Sequence, residues 1–492
     1  MTITQSDKPD AAGPGSARLR ALKDLPGPLG LPLLGNLLQV DLNILHVVLE
    51  AWADRHGSYY LFRLAHKPVL VVSEPALMQQ VLKQRPDVYR RLSAIESVID
   101  EMGMNGVFST EGNAWRRQRQ IVTQALSAVH LRRFAPALAE IAERLRQRWH
   151  AKAQSGQPVD VLQDLMCYTV DVTSRLTFGV DVDTLGQQSS QLREQLGKIF
   201  PMVNQRINAP FPYWRFMRLP RDYALDQALD EIRANVAGLI ELSRQRLGTM
   251  PDLADNPGNL VEALLVARDD SGQLFTEAEV IANAVTILMA GEDTTANTLA
   301  WMIHFLITEA ATQERLQQEL DQHAADPSAA RCGRQTGWIE ALMHETMRLK
   351  PVAPILFLEA AQDTVLGDVQ VTKGTAVFLL TRHAGLSEAA CPAATQFIAE
   401  RWIDGGTPAA YPPPRDHFLP FGAGPRFCPG RSLALLEIES VMRMLGQHFI
   451  VSPVAGTKPA QERFAFSMTP ANLRVKFSLR EIVPGVGDTA GA

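Results

Sequence analysis

Between Thr276 and Ala310 the chain reads TEAEVIANAVTILMAGEDTTANTLAWMIHFLITEA, with apolar residues at three- and four-residue intervals. As a helix this run is roughly 50 Å long at 1.5 Å per residue. Its start is marked. Thr276 and Glu279 match the capping box, in which each side chain satisfies a free backbone donor at the helix start. A helix this long and apolar is either the core of a large domain or a membrane span. GEDTTANT, with two carboxylates in mid-pattern, argues against a span. What remains is a core helix with a polar interruption. Asp and Thr there compete with helical hydrogen bonds and Gly291 weakens the helix, so the interruption marks a site for function.

Length alone, 492 residues, allows three or four domains. However, no internal repeat and no long linker divides the chain. Helical patterns recur at Leu131 to Trp149 and at Ala224 to Leu247. Strand-like stretches are confined to residues 58 to 74, with a turn at His66-Lys67, and 364 to 382, with turns at Gly367-Asp368 and Lys373-Gly374. The expected fold is one large domain, mainly α with small β regions. Residues 1 to 24 read as a flexible lead, 25 to 480 as the domain, and 481 to 492 as a frayed tail. The Pro- and Gly-broken stretch Leu25 to Leu38 is expected to lie extended on the body. No signal peptide or membrane anchor is visible, so a cytoplasmic monomer is expected.

Composition removes other classes. With 46% apolar residues, 21% charged residues and a net charge of -5, the chain is neither disordered nor a general binder of nucleic acid. Its four cysteines, Cys167, Cys332, Cys391 and Cys428, form no C-x-x-C pair and no zinc or iron-sulfur grouping. Cys428 stands apart from the others. It ends the glycine-rich segment FGAGPRFCPG (Phe421 to Gly430) and opens the helical pattern RSLALLEIESVMRML. Glycines let such a loop turn tightly against a flat ligand, and amides at a helix start stabilise a thiolate. A thiolate so placed is a nucleophile or a metal ligand.

The pattern Phe421-Gly422-x-Gly424-x-Arg426-x-Cys428-x-Gly430 resembles the haem-binding loop of the cytochrome P-450 (haem-thiolate monooxygenase) family. The resemblance implies a single domain enclosing haem b between the long central helix and the cysteine loop. Cys428 becomes the axial iron ligand, with Phe421, Gly422, Arg426 and Gly430 around it. Glu345-Thr346-Met347-Arg348 is similar to the family's E-x-x-R motif, and Phe397 to Trp402 (FIAERW) to its F-x-P-E-R-W segment, with Ala399 in place of proline. Glu345, Arg348 and Arg401 would then form a buried charge network that holds the haem loop. Trp115 and Arg119 match W-x-x-x-R, share a helix face, and would bind haem propionates. The family often adds an Arg or His after the E-x-x-R helix. PVAPILFL (Pro351 to Leu358) has none, which shifts that work to Trp115, Arg119 and Arg426.

Ala290-Gly291-Glu292-Asp293-Thr294-Thr295 resembles the family's oxygen-binding motif. The resemblance implies that Asp293 relays protons from solvent, that Thr294 holds water at the oxygen site, and that a groove at Gly291 admits oxygen beside the Thr294 hydroxyl, on the helix face that Ala290, Thr294 and Thr298 share. The implied reaction inserts one atom of O2 into a lipophilic small molecule by hydroxylation or epoxidation. Electrons would come from a separate ferredoxin or flavodoxin and its reductase, docking on Arg116, Arg117, Arg426 and Arg431. The alternatives are a peroxygenase or isomerase, or a haem-binding sensor without turnover. By family position the substrate contacts are Ile95, Val98, Val107, Val352, Ile355 and Met468. Fatty acids, terpenoids, steroids and aromatics all meet that description, and Arg206 or Arg215 offers a carboxylate partner.

Overall fold

The computed structural model describes residues 19–186, 191–207, 209, 211–268, 272–325, 337–403 and 411–481. The central helix spans Glu277–Thr308, 32 residues, and its capping box forms. Thr276 N–H donates to Glu279 Oε2 at 2.8 Å, and Glu279 N–H donates to Thr276 Oγ1 at 3.3 Å. The helix is buried along most of its length and packs on the helix Val161–Phe178. Gly291 sits at that contact: a Cβ there would lie 2.2 Å from Thr173 Cγ2. The glycine therefore serves close helix packing.

The two strand-like regions of the sequence meet in one five-stranded sheet, ordered Tyr59–Leu64, Lys67–Val72, Ala376–Leu380, Ile355–Ala360 and Tyr89–Arg91. Lys67–Val72 and Ala376–Leu380 pair in parallel, and the other pairs are antiparallel. Val69 to Val72 are buried on both faces, as an interior strand requires. One side of the sheet packs around Leu82 and Leu379, the other around Trp52, Phe378 and Trp301. A third and larger core surrounds the central helix. A hairpin of Gln461–Phe464 and Met468–Ala471 lies against the central helix.

Several expectations change. Arg20–Ala21 lies inside the stretch read as a flexible lead, yet it pairs in parallel with Val369–Gln370, and Arg20 Nε donates to Asp368 at 2.7 Å. The stretch after Leu25 is not packed down throughout: Leu29 and Leu33 are each 91% exposed. The first hairpin turns at Ala65-His66, one residue earlier than expected, where Ala65 adopts φ +53°. Ile355–Ala360 is a strand whose apolar run shows no alternation, because a core covers each face: Ile355 lies in one and Leu358 in the other. Among the described residues no helix is long and apolar enough to cross a membrane. Cys167 and Cys391 are buried, and Cys332 and residues 482–492 lie outside the described residues.

Candidate active site

Cys428 follows a single 3-10 turn, Gly424–Arg426, and precedes the helix Arg431–His448. Its N–H donates to the Phe421 carbonyl at 3.0 Å, which closes the loop. Gly424 has φ +69°, and a Cβ there would lie 2.4 Å from the Leu82 carbonyl oxygen, so no other residue fits. Burial pushes the Cys428 thiol up, while the N–H groups of Gly430 and Arg431 and the Arg119 guanidinium favour the thiolate. Two amides and a guanidinium, with no proton-accepting side chain among the groups that act on the sulfur, make a poor site for a free nucleophile. They suit a sulfur that a metal ion keeps deprotonated.

Above this loop lies a surplus of buried positive charge. The Arg426 side chain is 4% exposed, stacks 4.1 Å from the Trp115 ring centroid, and donates to the Thr110 carbonyl at 2.7 Å and to Glu111. Arg91 stacks 3.6 Å from the Phe108 ring centroid and donates to the Phe108 carbonyl at 3.0 Å. Arg85 is buried beside them, with Nε and Nη2 unpartnered, and Arg426 Nε is unpartnered too. Burial, and then mutual repulsion, pushes Arg85 down to about 10, and Arg426 is held at about 10 by burial against Glu111. Three guanidiniums thus gather about one carboxylate, Glu111, and two of them keep buried donors without a partner among the described residues. That set calls for a dianion, and the two propionates of haem b fit it. Arg119 is placed differently: its Nη2 donates to the Phe427 carbonyl, on the cysteine side. Sequence reasoning missed Arg85 and Arg91 because no spacing links them to Trp115 or Arg426.

The E-x-x-R helix is Trp338–Leu349. Glu345 accepts from Arg348 Nε at 2.8 Å and Nη2 at 2.7 Å, from Arg401 Nε at 3.1 Å, from Trp402 Nε1 at 2.8 Å and from Ile398 N–H at 2.9 Å. All three charged side chains are 0% exposed. Arg348 also donates to the carbonyls of Gly385 and Gln396 at 3.0 Å each. The Trp402 ring packs 4.7 Å from that of Phe418, which leads into the cysteine loop. Ala399, where proline is usual, is fully buried and does not disturb the network.

On the central helix, Ala290 and Thr294 are exposed although most of the helix is buried. Thr294 Oγ1 donates to the Ala290 carbonyl at 2.9 Å, and Thr298 does the same to Thr294. Asp293 accepts from Asn297 Nδ2 at 2.8 Å and from the Ser467 hydroxyl, and burial raises its pKa against these two bonds. An acid held among neutral partners thus adjoins an accessible hydroxyl.

The Cytochrome P-450 family model matches residues 25–477. This chain belongs to the cytochrome P-450 family. It is 27% identical over 464 residues to mouse cytochrome P-450 2W1, covering 90% of this chain and 91% of that one. It is 24% identical over 419 residues to the chloroplastic protein LUTEIN DEFICIENT 5 of Arabidopsis thaliana, covering 82% and 69%. The crystal structure of the cytochrome P-450DA haem domain superposes with a TM-score of 0.82 at 20% identity, over 94% of this chain and 99% of that one. The protein is accordingly a haem-thiolate monooxygenase, an oxidoreductase whose cofactor is haem b.

Other expected site residues of this cytochrome P-450 fare unequally. Arg426 is too buried to meet a partner protein, and Arg117 donates to Glu279 at 3.2 Å and stacks on Phe275, so the expected docking patch shrinks to Arg116 and Arg431. Arg206 donates to Asp222 at 3.1 Å and Arg215 to Glu101, which removes both as carboxylate partners. Ile95, Val98 and Val107 are buried in the large core, and Ile355 and Met468 in the core beneath the sheet. Only Val352 of the six candidates keeps partial exposure, because the apolar positions read by family place also carry the packing.

One acid beside this site was not anticipated. Glu437, on the cysteine helix, is 1% exposed, and burial pushes it up to about 8 despite a hydrogen bond with Thr295. The folded protein therefore keeps a proton that the unfolded chain, with its carboxyl near 4.5, releases earlier. Stability is full below the unfolded value and is lost as pH rises through the folded one. Glu437→Gln is expected to unfold with wild type at pH 4.5 and at a higher temperature than wild type at pH 8, as read by thermal melts at the two pH values.

Proposed function

We propose that this cytochrome P-450 hydroxylates or epoxidises a lipophilic small molecule through a proton relay of Asp293 and Thr294. Bound haem supplies the reduction of O2 and the transfer of one oxygen atom to the substrate. Cys428 Sγ would hold the iron, with Phe421, Gly422 and Gly430 shaping its loop. Trp115, Arg426, Arg85 and Arg91 would receive the propionates, and Arg119 would steady the cysteine side. Glu345, Arg348 and Arg401 keep that loop in place and touch no reacting atom.

The observation that carries the relay is the half-buried Asp293 carboxyl, bonded among the described residues by Ser467 and Asn297, beside the accessible Thr294 hydroxyl. Asp293 takes up a proton, and Thr294 orients the water that passes it on. Thr294→Ala removes that water's partner without disturbing the core. Product formed per electron pair is expected to fall by on the order of tenfold, with reductant still consumed and hydrogen peroxide released in its place. Unchanged product yield in this variant would refute the relay.

A lipophilic substrate is supported by the half-buried apolar groups at the hairpin that bonds Asp293: Phe466 on it, Phe108 with its ring 6.0 Å from that of Phe466, and Val352, whose carbonyl accepts from Met468 N–H. For electron supply we infer a ferredoxin or flavodoxin that docks at Arg116 and Arg431. Arg116, whose side chain is 49% exposed, is paired with Asp87 at 2.6 Å, so its reach to a partner competes with that bond. Arg116→Glu is expected to slow reduction by an acidic ferredoxin severalfold at low salt and little at high salt, where screening removes the attraction. Equal rates at both salt concentrations would rule out docking there.

A further inference from the structure

Where the central helix passes the tip of the Gln461–Ala471 hairpin, three polar side chains meet. The Ser467 hydroxyl donates to Asp293 Oδ2 across 174 residues of sequence. Asn297 Nδ2 donates to Asp293 Oδ1 at 2.8 Å and lies 3.5 Å from Ser467 Oγ. Ser467 is 6% exposed, so its hydroxyl is set into the protein rather than offered to water.

The neighbours of Ser467 belong to the apolar groups assigned above to the substrate. The Phe466 ring lies 6.0 Å from that of Phe108. Met468 N–H donates to the Val352 carbonyl at 2.9 Å, and the Met468 carbonyl accepts from Trp301 Nε1 at 3.2 Å. The tip is closed by Ala465 N–H donating to the Ser467 carbonyl at 3.1 Å. A molecule packing against Phe108, Phe466 or Val352 therefore presses on the backbone that carries Ser467.

We propose that Ser467 is a positioning residue for Asp293, holding its carboxylate toward the hairpin and so tying the relay acid to the loop against which substrate packs. The proposal rests on the relay reading of Asp293. The groups facing the carboxylate, Asn297 on the helix and Ser467 on the hairpin, are both neutral, and among the described residues no charged side chain perturbs it. Burial favours the protonated acid, and each donated hydrogen bond favours the carboxylate. Loss of the Ser467 donor alone must therefore make Asp293 harder to ionise.

The test is infrared titration of the haem-loaded ferric protein, following the carboxylic C=O stretch that disappears in Asp293→Asn. In Ser467→Ala that band is expected to persist to a pH about one unit higher than in wild type, and Ser467→Thr, which keeps the hydroxyl, is expected to restore the wild-type midpoint. A wild-type midpoint in Ser467→Ala would overturn the proposal, as would a Thr variant that behaves like Ala. Failure of the relay reading is separately visible: it is an Asp293→Asn protein that forms product per electron pair as wild type does, whatever the infrared midpoints are.

Discussion

Cys428→Ala is expected to abolish monooxygenase activity and to remove the strongly red-shifted carbonyl band of the reduced protein. Outer partners of a metal ligand are worth about 10- to 100-fold, and loss of the ligand itself exceeds that. The fold should survive, because the loop is closed by backbone: Cys428 N–H donates to Phe421 and Ala434 N–H to Gly430, and alanine keeps both bonds. Haem should be retained in part through the donors of Arg85, Arg91 and Arg426. The measurements are the carbonyl difference spectrum and the haem-to-protein ratio after gel filtration. A C428A protein with the red-shifted band intact would show that another group ligates the iron.

Glu345→Ala is expected to destabilise the protein by about 3–5 kcal/mol, the usual cost of stranding buried charge. The carboxylate accepts five hydrogen bonds, from Arg348 Nε and Nη2, Arg401 Nε, Trp402 Nε1 and Ile398 N–H. Its removal leaves two guanidiniums, each 0% exposed, without a counter-charge. Water cannot replace what is lost at that depth. Arg315→Ala is the control: its partner Glu400 is 40% exposed, and such surface pairs are worth no more than about 1 kcal/mol. Denaturant unfolding of the three proteins reads the difference. An E345A protein within about 1 kcal/mol of wild type would mean that the network is dispensable for folding.

Legibility in this chain follows the range of the interaction. The capping box at Thr276 and Glu279 and the E-x-x-R pair on one helix face are set by residues three apart, and both form as read. The loop around Cys428 is equally local, since Gly424 and the following helix start are written in ten consecutive residues. The sheet was half legible: Tyr59–Leu64 with Lys67–Val72 is a hairpin, whereas its parallel join to Ala376–Leu380 crosses about three hundred residues. Gly291 is a different case, because its sequence context gave no sign of the packing it serves. Its role depends on Thr173 of another helix, which no spacing within the central helix can reveal.

The sequence by itself determined the class of chemistry: a thiolate at a glycine-turned helix start, a long helix whose apolar pattern is interrupted by an acid and an alcohol, and, through their family likeness, haem between them. Those features are local, because caps, turns and helix faces depend on near neighbours. Only the tertiary structure decided what surrounds them. It gathered Arg85, Arg91 and Arg426 about one carboxylate, withdrew Arg426 from the surface, and set Ser467 on Asp293. Charges from distant segments raise one another's energy only once packing brings them together, and that proximity is a property of the fold.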